Sequence, residues 1–106
     1  MPKSKLLLGL AIAAAAAAAH GQDHVVGQKG KAFSTDKLTV KAGESISFRN
    51  DDPFFHNVFS LSETHSFDLG SYPRGEARAT RFDKPGTVEV ECAIHPEMKM
   101  VVEVKK

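Results

Sequence analysis

The chain has 106 residues, a quarter of them charged, with 14 Lys and Arg against 13 Asp and Glu and a formal net charge of +1. That length accommodates one domain at most, and so even a charge balance leaves no basic stripe for nucleic acid. The single cysteine, Cys92, excludes an intrachain disulfide.

Met1 to Lys5 is short and basic, carrying Lys3 and Lys5, and Leu6 to Ala19 is an apolar run ending in small residues. This is the layout of a secretory signal peptide. The run falls short of the ~20 residues that a membrane-spanning helix needs. Residues 1–19 are therefore expected to be removed after Ala19, with Gly21 as the alternative cleavage point. The mature domain would be residues 20–106, exported to the periplasm and without a membrane span. Its net charge would be −1, because Lys3 and Lys5 leave with the leader. A small exported domain normally relies on disulfide staples. With one thiol, a metal ion would serve instead, protecting the thiolate and joining distant strands.

His20 to Lys31 is polar and contains glycines, and reads as a tail in which His20 and His24 are solvated. Short strands broken by turns follow. Leu38 to Lys41 runs into an Ala42–Gly43 turn. Ser45 to Phe48 alternates, with Ile46 and Phe48 on one face and Ser45 and Ser47 on the other. Arg49 to Pro53 is a polar loop, and His56 to Leu61 is β-prone. Ser62 to Gly75, with Gly70, Pro73 and Gly75, reads as a long irregular connection that leaves His65 exposed. Arg78 to Phe82 is a strand, and Lys84-Pro85-Gly86 turns the chain. Thr87 to Glu91 alternates with Val88 and Val90 inward. Met100 to Val104 closes the chain with Met100, Val102 and Val104 on one face. No segment after residue 19 shows a helical period. The pattern predicts an all-β fold, a sandwich or a barrel.

Cys92 continues the inward face of Val88 and Val90. It opens Cys92-Ala93-Ile94-His95-Pro96-Glu97-Met98, a C-x2-H-x2-M segment between two strands, while Phe55-His56-Asn57-Val58 starts another strand upstream. Neighbouring strands would bring His56 to the same end of the molecule. One thiolate, two imidazoles and a thioether form the donor set of a trigonal His2Cys copper site with a weak axial methionine. Zinc accepts thiolate and imidazole but rarely a thioether. The predicted ligands are His56, Cys92, His95 and Met98. Met100 is the competing thioether, but period-2 alternation assigns it to the core.

The C-x2-H-x2-M loop and the H-N-V motif resemble those of the cupredoxins, with the loop length of the amicyanins. Plastocyanins share the H-N-V and C-x2-H parts and place the methionine two residues later, at the spacing of Met100. The resemblance covers the whole chain after the leader. It implies a Greek-key β-sandwich, one type 1 copper, and transfer of single electrons between larger redox proteins by a monomer, not an enzyme. It also implies that Asn57 tethers the two ligand-bearing loops and that the ring edge of His95 is the electron exit. Phe54, Phe55 and Pro96 would surround that edge with an apolar docking patch, or the two phenylalanines would pack in the core. Copper storage or delivery is the alternative function. An enzymatic centre is less compatible, since Met98 closes the site and no carboxylate but Glu97 lies in the loop. The cations Arg74, Arg78 and Arg81 are scattered along the chain, and no charged docking face is legible.

Overall fold

The computed structural model describes residues 23–106. The proposed signal peptide 1–19 and His20 lie outside the described residues. Eight strands follow in order: β1 (His24–Gln28), β2 (Lys37–Lys41), β3 (Glu44–Asn50), β4 (His56–Ser60), β5 (Phe67–Tyr72), β6 (Ala77–Phe82), β7 (Gly86–Glu91) and β8 (Lys99–Lys105). Among the described residues no helix is long and apolar enough to cross a membrane.

The strands form two sheets, β1-β3-β6 and β2-β8-β7-β4-β5. Only the β4–β5 and β7–β8 connections stay within one sheet. The others cross between sheets, as a Greek-key sandwich requires. Residue alternation drives the assembly. In β7, Val88 and Val90 are fully buried while Thr87 and Glu89 face water, and in β8 Met100, Val102 and Val104 turn inward. Val88 sits opposite Val102, and Val90 opposite Met100. The facing sheet contributes Ile46, Phe48 and Phe82, all fully buried. Each such side chain contributes roughly 1.5–3 kcal/mol by leaving water.

Two strands lie where the sequence reads as tail and loop. β1 pairs in parallel with β3, with His24 opposite Ile46 and Gln28 opposite Asn50. Its adjacent valines and Gly27 disguise the alternation, because only Val26 and Gln28 point inward. Consequently His24 is no solvated tail residue; its Nε2 lies 2.9 Å from Glu44 Oε1. β5 is disguised by Asp68 and Gly70. The β4–β5 ladder shifts register between Asn57 and Phe59, a β-bulge, and Gly70 takes a positive φ of 74°; that left-handed conformation favours glycine.

β5 delivers Tyr72 into the core. Its hydroxyl donates to Gln28 Oε1 at 2.6 Å and lies 3.1 Å from the Phe48 carbonyl, bridging the two sheets. His65, expected to be exposed, is half-buried instead. Its ring lies 4.8 Å from Phe67 and 5.0 Å from Phe82 between centroids, with Nε2 2.8 Å from Thr80 Oγ1. Burial pushes its pKa down from the ordinary histidine value. Ser45 and Ser47, on the face opposite Ile46 and Phe48, are also buried. β3 is the central strand of its sheet, flanked on both sides by β1 and β6.

Candidate metal centre

The two strands that carry the site are neighbours. β4 and β7 run antiparallel, with Phe59 opposite Glu91. His56 is the first residue of β4 and Cys92 follows the last of β7, so the pairing brings them to the same end of the sandwich. Cys92 keeps the inward phase of Val88 and Val90 and is 1% exposed. The Cys92–Met98 loop is closed at its base by backbone hydrogen bonds from Met98 N to the His95 carbonyl (2.9 Å) and from Cys92 N to the Met98 carbonyl (3.3 Å). This turn presents the His95 ring to the thiol.

The three predicted donors converge. Cys92 Sγ is 3.7 Å from His56 Nδ1 and 3.8 Å from His95 Nδ1. Donor atoms of all three residues lie within 4.8 Å of one another. The imidazole centroids are 4.9 Å apart at 65°. His56 is fully buried and His95 half-buried. Both Nδ1 atoms face the sulfur, as ligation of one ion by two neutral imidazoles and a thiolate demands. Met98 and Met100 are both buried, at 1% and 2% exposure. Met100 lies in β8 opposite Val90, on the core face that alternation predicts. Met98 lies in the ligand loop.

Asn57 Oδ1 accepts a 2.7 Å hydrogen bond from Ala93 N, fastening β4 to the loop that carries His95. The segment before His56 is shaped by buried Asn50. Its Nδ2 donates to the carbonyls of Phe54 (2.8 Å) and Tyr72 (3.0 Å), and its Oδ1 accepts from Asp52 N at 2.8 Å.

Sequence reasoning missed Asp52. Its buried carboxylate lies 2.8 Å from His56 Nε2 and accepts hydrogen bonds from Gly30 N (2.8 Å) and Lys31 N (3.1 Å). Burial alone would raise the Asp52 carboxyl, but the hydrogen bonds from His56, Gly30 and Lys31 outweigh it and hold the pKa at about 2. The contact assigns the tautomer: Nε2–H is given to the carboxylate, and the Nδ1 lone pair is left for a metal. The available signal was a carboxylate four residues before a ligand histidine, but in a non-helical loop that spacing fixes no direction.

Phe54 is half-buried and touches both imidazoles, with centroids 5.3 Å from His56 and 5.1 Å from His95. Phe55 is 54% exposed, and exposed Pro96 and Ile94 sit in the ligand loop. The two phenylalanines thus divide the alternatives, one packing against the site and one facing water. Ile94 is an exposed apolar residue that the sequence reading left out.

Comparison with known proteins places this geometry. A plastocyanin from Ginkgo biloba is 36% identical, covering 65% of this chain and 81% of the relative. A reduced single-residue mutant of amicyanin superposes with a TM-score of 0.73 at 26% identity, covering 83% of this chain and 89% of that one. The copper-containing nitrite reductase of Thermus scotoductus SA-01 superposes with a TM-score of 0.72 at 26% identity. That match takes in 77% of this chain but only 22% of the reductase. Residues 22–105 match the copper binding proteins of the plastocyanin/azurin type. The donor set of His56, Cys92 and His95 fits one type 1 copper ion. Since the match spans every strand of the sandwich, the chain belongs to the plastocyanin/azurin family of copper binding proteins.

Proposed function

We propose that the protein is an exported carrier of single electrons that holds copper through His56, Cys92, His95 and Met98. One observation carries this reading: three soft or borderline donors are gathered at one end of a rigid sandwich, with a ligand ring half-exposed inside an apolar rim. Bound copper supplies a one-electron Cu(I)/Cu(II) couple.

The remaining roles belong to the chain. Asp52 holds His56 in the ligating tautomer, and Asn57 fixes the distance between the two ligand-bearing segments. Those restraints keep the donors in place in both oxidation states, which lowers the reorganisation that electron transfer requires. The buried positions of Cys92, His56 and Met98 exclude water. The His95 ring reaches the surface among Phe55, Ile94 and Pro96, giving a larger redox protein a short path to the site. Small, weakly held interfaces suit such transient encounters. Residues 1–19 would direct the chain to the periplasm.

The test is Cu(II) titration of the domain freed of residues 1–19, followed by visible absorption and EPR, beside Cys92→Ala. The expected result is an intense thiolate-to-copper band with narrow hyperfine splitting, absent from the variant. A weak tetragonal spectrum that survives the substitution would overturn the assignment. Copper that exchanges readily with chelators would favour storage or delivery.

A further inference from the structure

Four cations drawn from three separate segments of the chain meet on one side of the copper site. Lys29, Arg49 and Arg74 line an open cavity of about 320 Å³ together with Asn50, Asp51 and Gly75. Asn50 also holds the carbonyl of Phe54, the residue whose ring touches both ligand imidazoles. Lys31 places its Nζ 5.8 Å from the centroid of that same ring. The cavity and the copper edge are therefore contiguous through Asn50, Phe54 and Lys31.

The charges there do not cancel. Asp51 is paired with Arg49 at 2.9 Å, and Asp52 is buried against His56. Glu76, beside Gly75 in sequence, is paired with Arg78 at 3.2 Å. Lys29, Lys31 and Arg74 form no ion pair among the described residues, and all three are exposed.

The position of Lys31 is enforced. It is the one described non-glycine residue with a positive φ (58°), following Gly30 at 66°. A left-handed lysine is unfavourable. Here the amides of both residues are tied to Asp52, the carboxylate that orients His56. Strain maintained by surrounding contacts points to use of the group it positions.

We infer that Lys29, Lys31 and Arg74 form a basic docking rim, and that the electron-transfer partner is a protein with an apolar face flanked by carboxylates. The rim would draw that face over Phe54, Phe55 and the edge of His95. Complementary charge of this kind raises encounter rates and sets orientation more than it adds affinity. This inference rests on the electron-carrier reading, so its test includes a part that needs no electron transfer.

The first measurement maps the surface of the Cu(I)-loaded protein by NMR, using hexacyanochromate(III) as a paramagnetic anion. Broadening should centre on the amides of Lys29 to Lys31 and Arg74 to Gly75. Broadening centred elsewhere, or none above the bulk effect, would overturn the rim whether or not the protein carries electrons. The second measurement follows oxidation of the Cu(I) protein by succinylated cytochrome c, whose lysines have become carboxylates, beside native cytochrome c.

At low ionic strength the succinylated partner should react faster. The double variant Lys29→Glu/Arg74→Glu should slow it by about tenfold, an effect that fades as salt shortens the Debye length below ~10 Å. Lys84→Glu/Lys105→Glu makes the same net-charge change at the far ends of β7 and β8. It should leave most of the rate. Equal losses in the two double variants would show that only net charge matters, and would overturn the docking rim even with the anion mapped to it.

Discussion

Asp52→Asn should raise the reduction potential of the copper site. The substitution keeps the size of the side chain, leaves an oxygen able to accept from His56 Nε2, and removes one negative charge buried 2.8 Å from a ligand ring. The carboxylate lies on the far side of the His56 ring from the Nδ1 that would hold the metal, and at an effective dielectric of ~20 a unit charge about 7 Å away would interact by about 2 kcal/mol. For a one-electron couple this converts to roughly 100 mV, and to about half that if the local dielectric is twice as high. The sign follows from electrostatics, because a nearby anion favours Cu(II) over Cu(I), and its loss favours the reduced ion. The assay is a redox titration followed through the visible band. Asp51→Asn provides the control. Asp51 is half-buried, its charge is already answered by Arg49, and its pKa is lowered chiefly by that hydrogen bond. Its removal should move the potential by less than about 20 mV, since a charge paired with Arg49 and open to solvent is largely screened. An Asp52→Asn potential that is unchanged, or lower than that of the unsubstituted protein, would refute the assigned role of the carboxylate.

The same carboxylate bears on acid stability of the metal-free protein. Its pKa is held at about 2 against an ordinary 3.8, so its contribution is complete above pH ~4 and disappears as pH falls toward 2. The loss should be about 1–2 kcal/mol by urea unfolding, allowing for screening, and should vanish in Asp52→Asn. The methionines should separate by readout. Met98→Ala should alter the absorption spectrum and potential, whereas Met100→Ala should keep the spectrum and cost about 2–5 kcal/mol of stability as a core truncation. A spectrum changed by Met100→Ala and untouched by Met98→Ala would reverse the axial assignment. Tyr72→Phe should cost about 1–3 kcal/mol. It strands Gln28 Oε1 in the core, beside a Gln28 Nε2 that already lacks a hydrogen-bond partner among the described residues. An unchanged urea midpoint would show that this bridge between the sheets carries no weight.

The sandwich class and the Cys92–His95 pair were legible in the chain because both rest on local rules, while His56, 36 residues from Cys92, was brought in by donor chemistry and the expected neighbouring of strands. Period-2 alternation is a property of each strand, so Thr87 to Glu91 and Met100 to Val104 announce their inward faces without reference to anything else. The phase of Val88 and Val90 carries through to Cys92, and a seven-residue loop cannot take His95 far from it. The Asn57 tether was implied by the family resemblance, and the structure supplies its partner, Ala93 N. What stayed hidden depends on contacts between remote segments. β1 is a strand because β3 offers it a parallel edge. β5 exists because a bulge and Gly70 let Asp68 and Tyr72 face opposite ways. His24 and His65 acquired partners, Glu44 and Thr80, that lie 20 and 15 residues away. Asp52 is nearer, four residues before His56, but only the folded loop turns its carboxylate inward. The basic rim is the extreme case, since Lys29 and Arg74 share a cavity while lying far apart in the chain. Side-chain alternation is set by bonded geometry and can be read along a sequence. Charge neighbourhood and hydrogen-bond direction are set by where distant segments come to rest, and in this protein only the packing of the two sheets decided them.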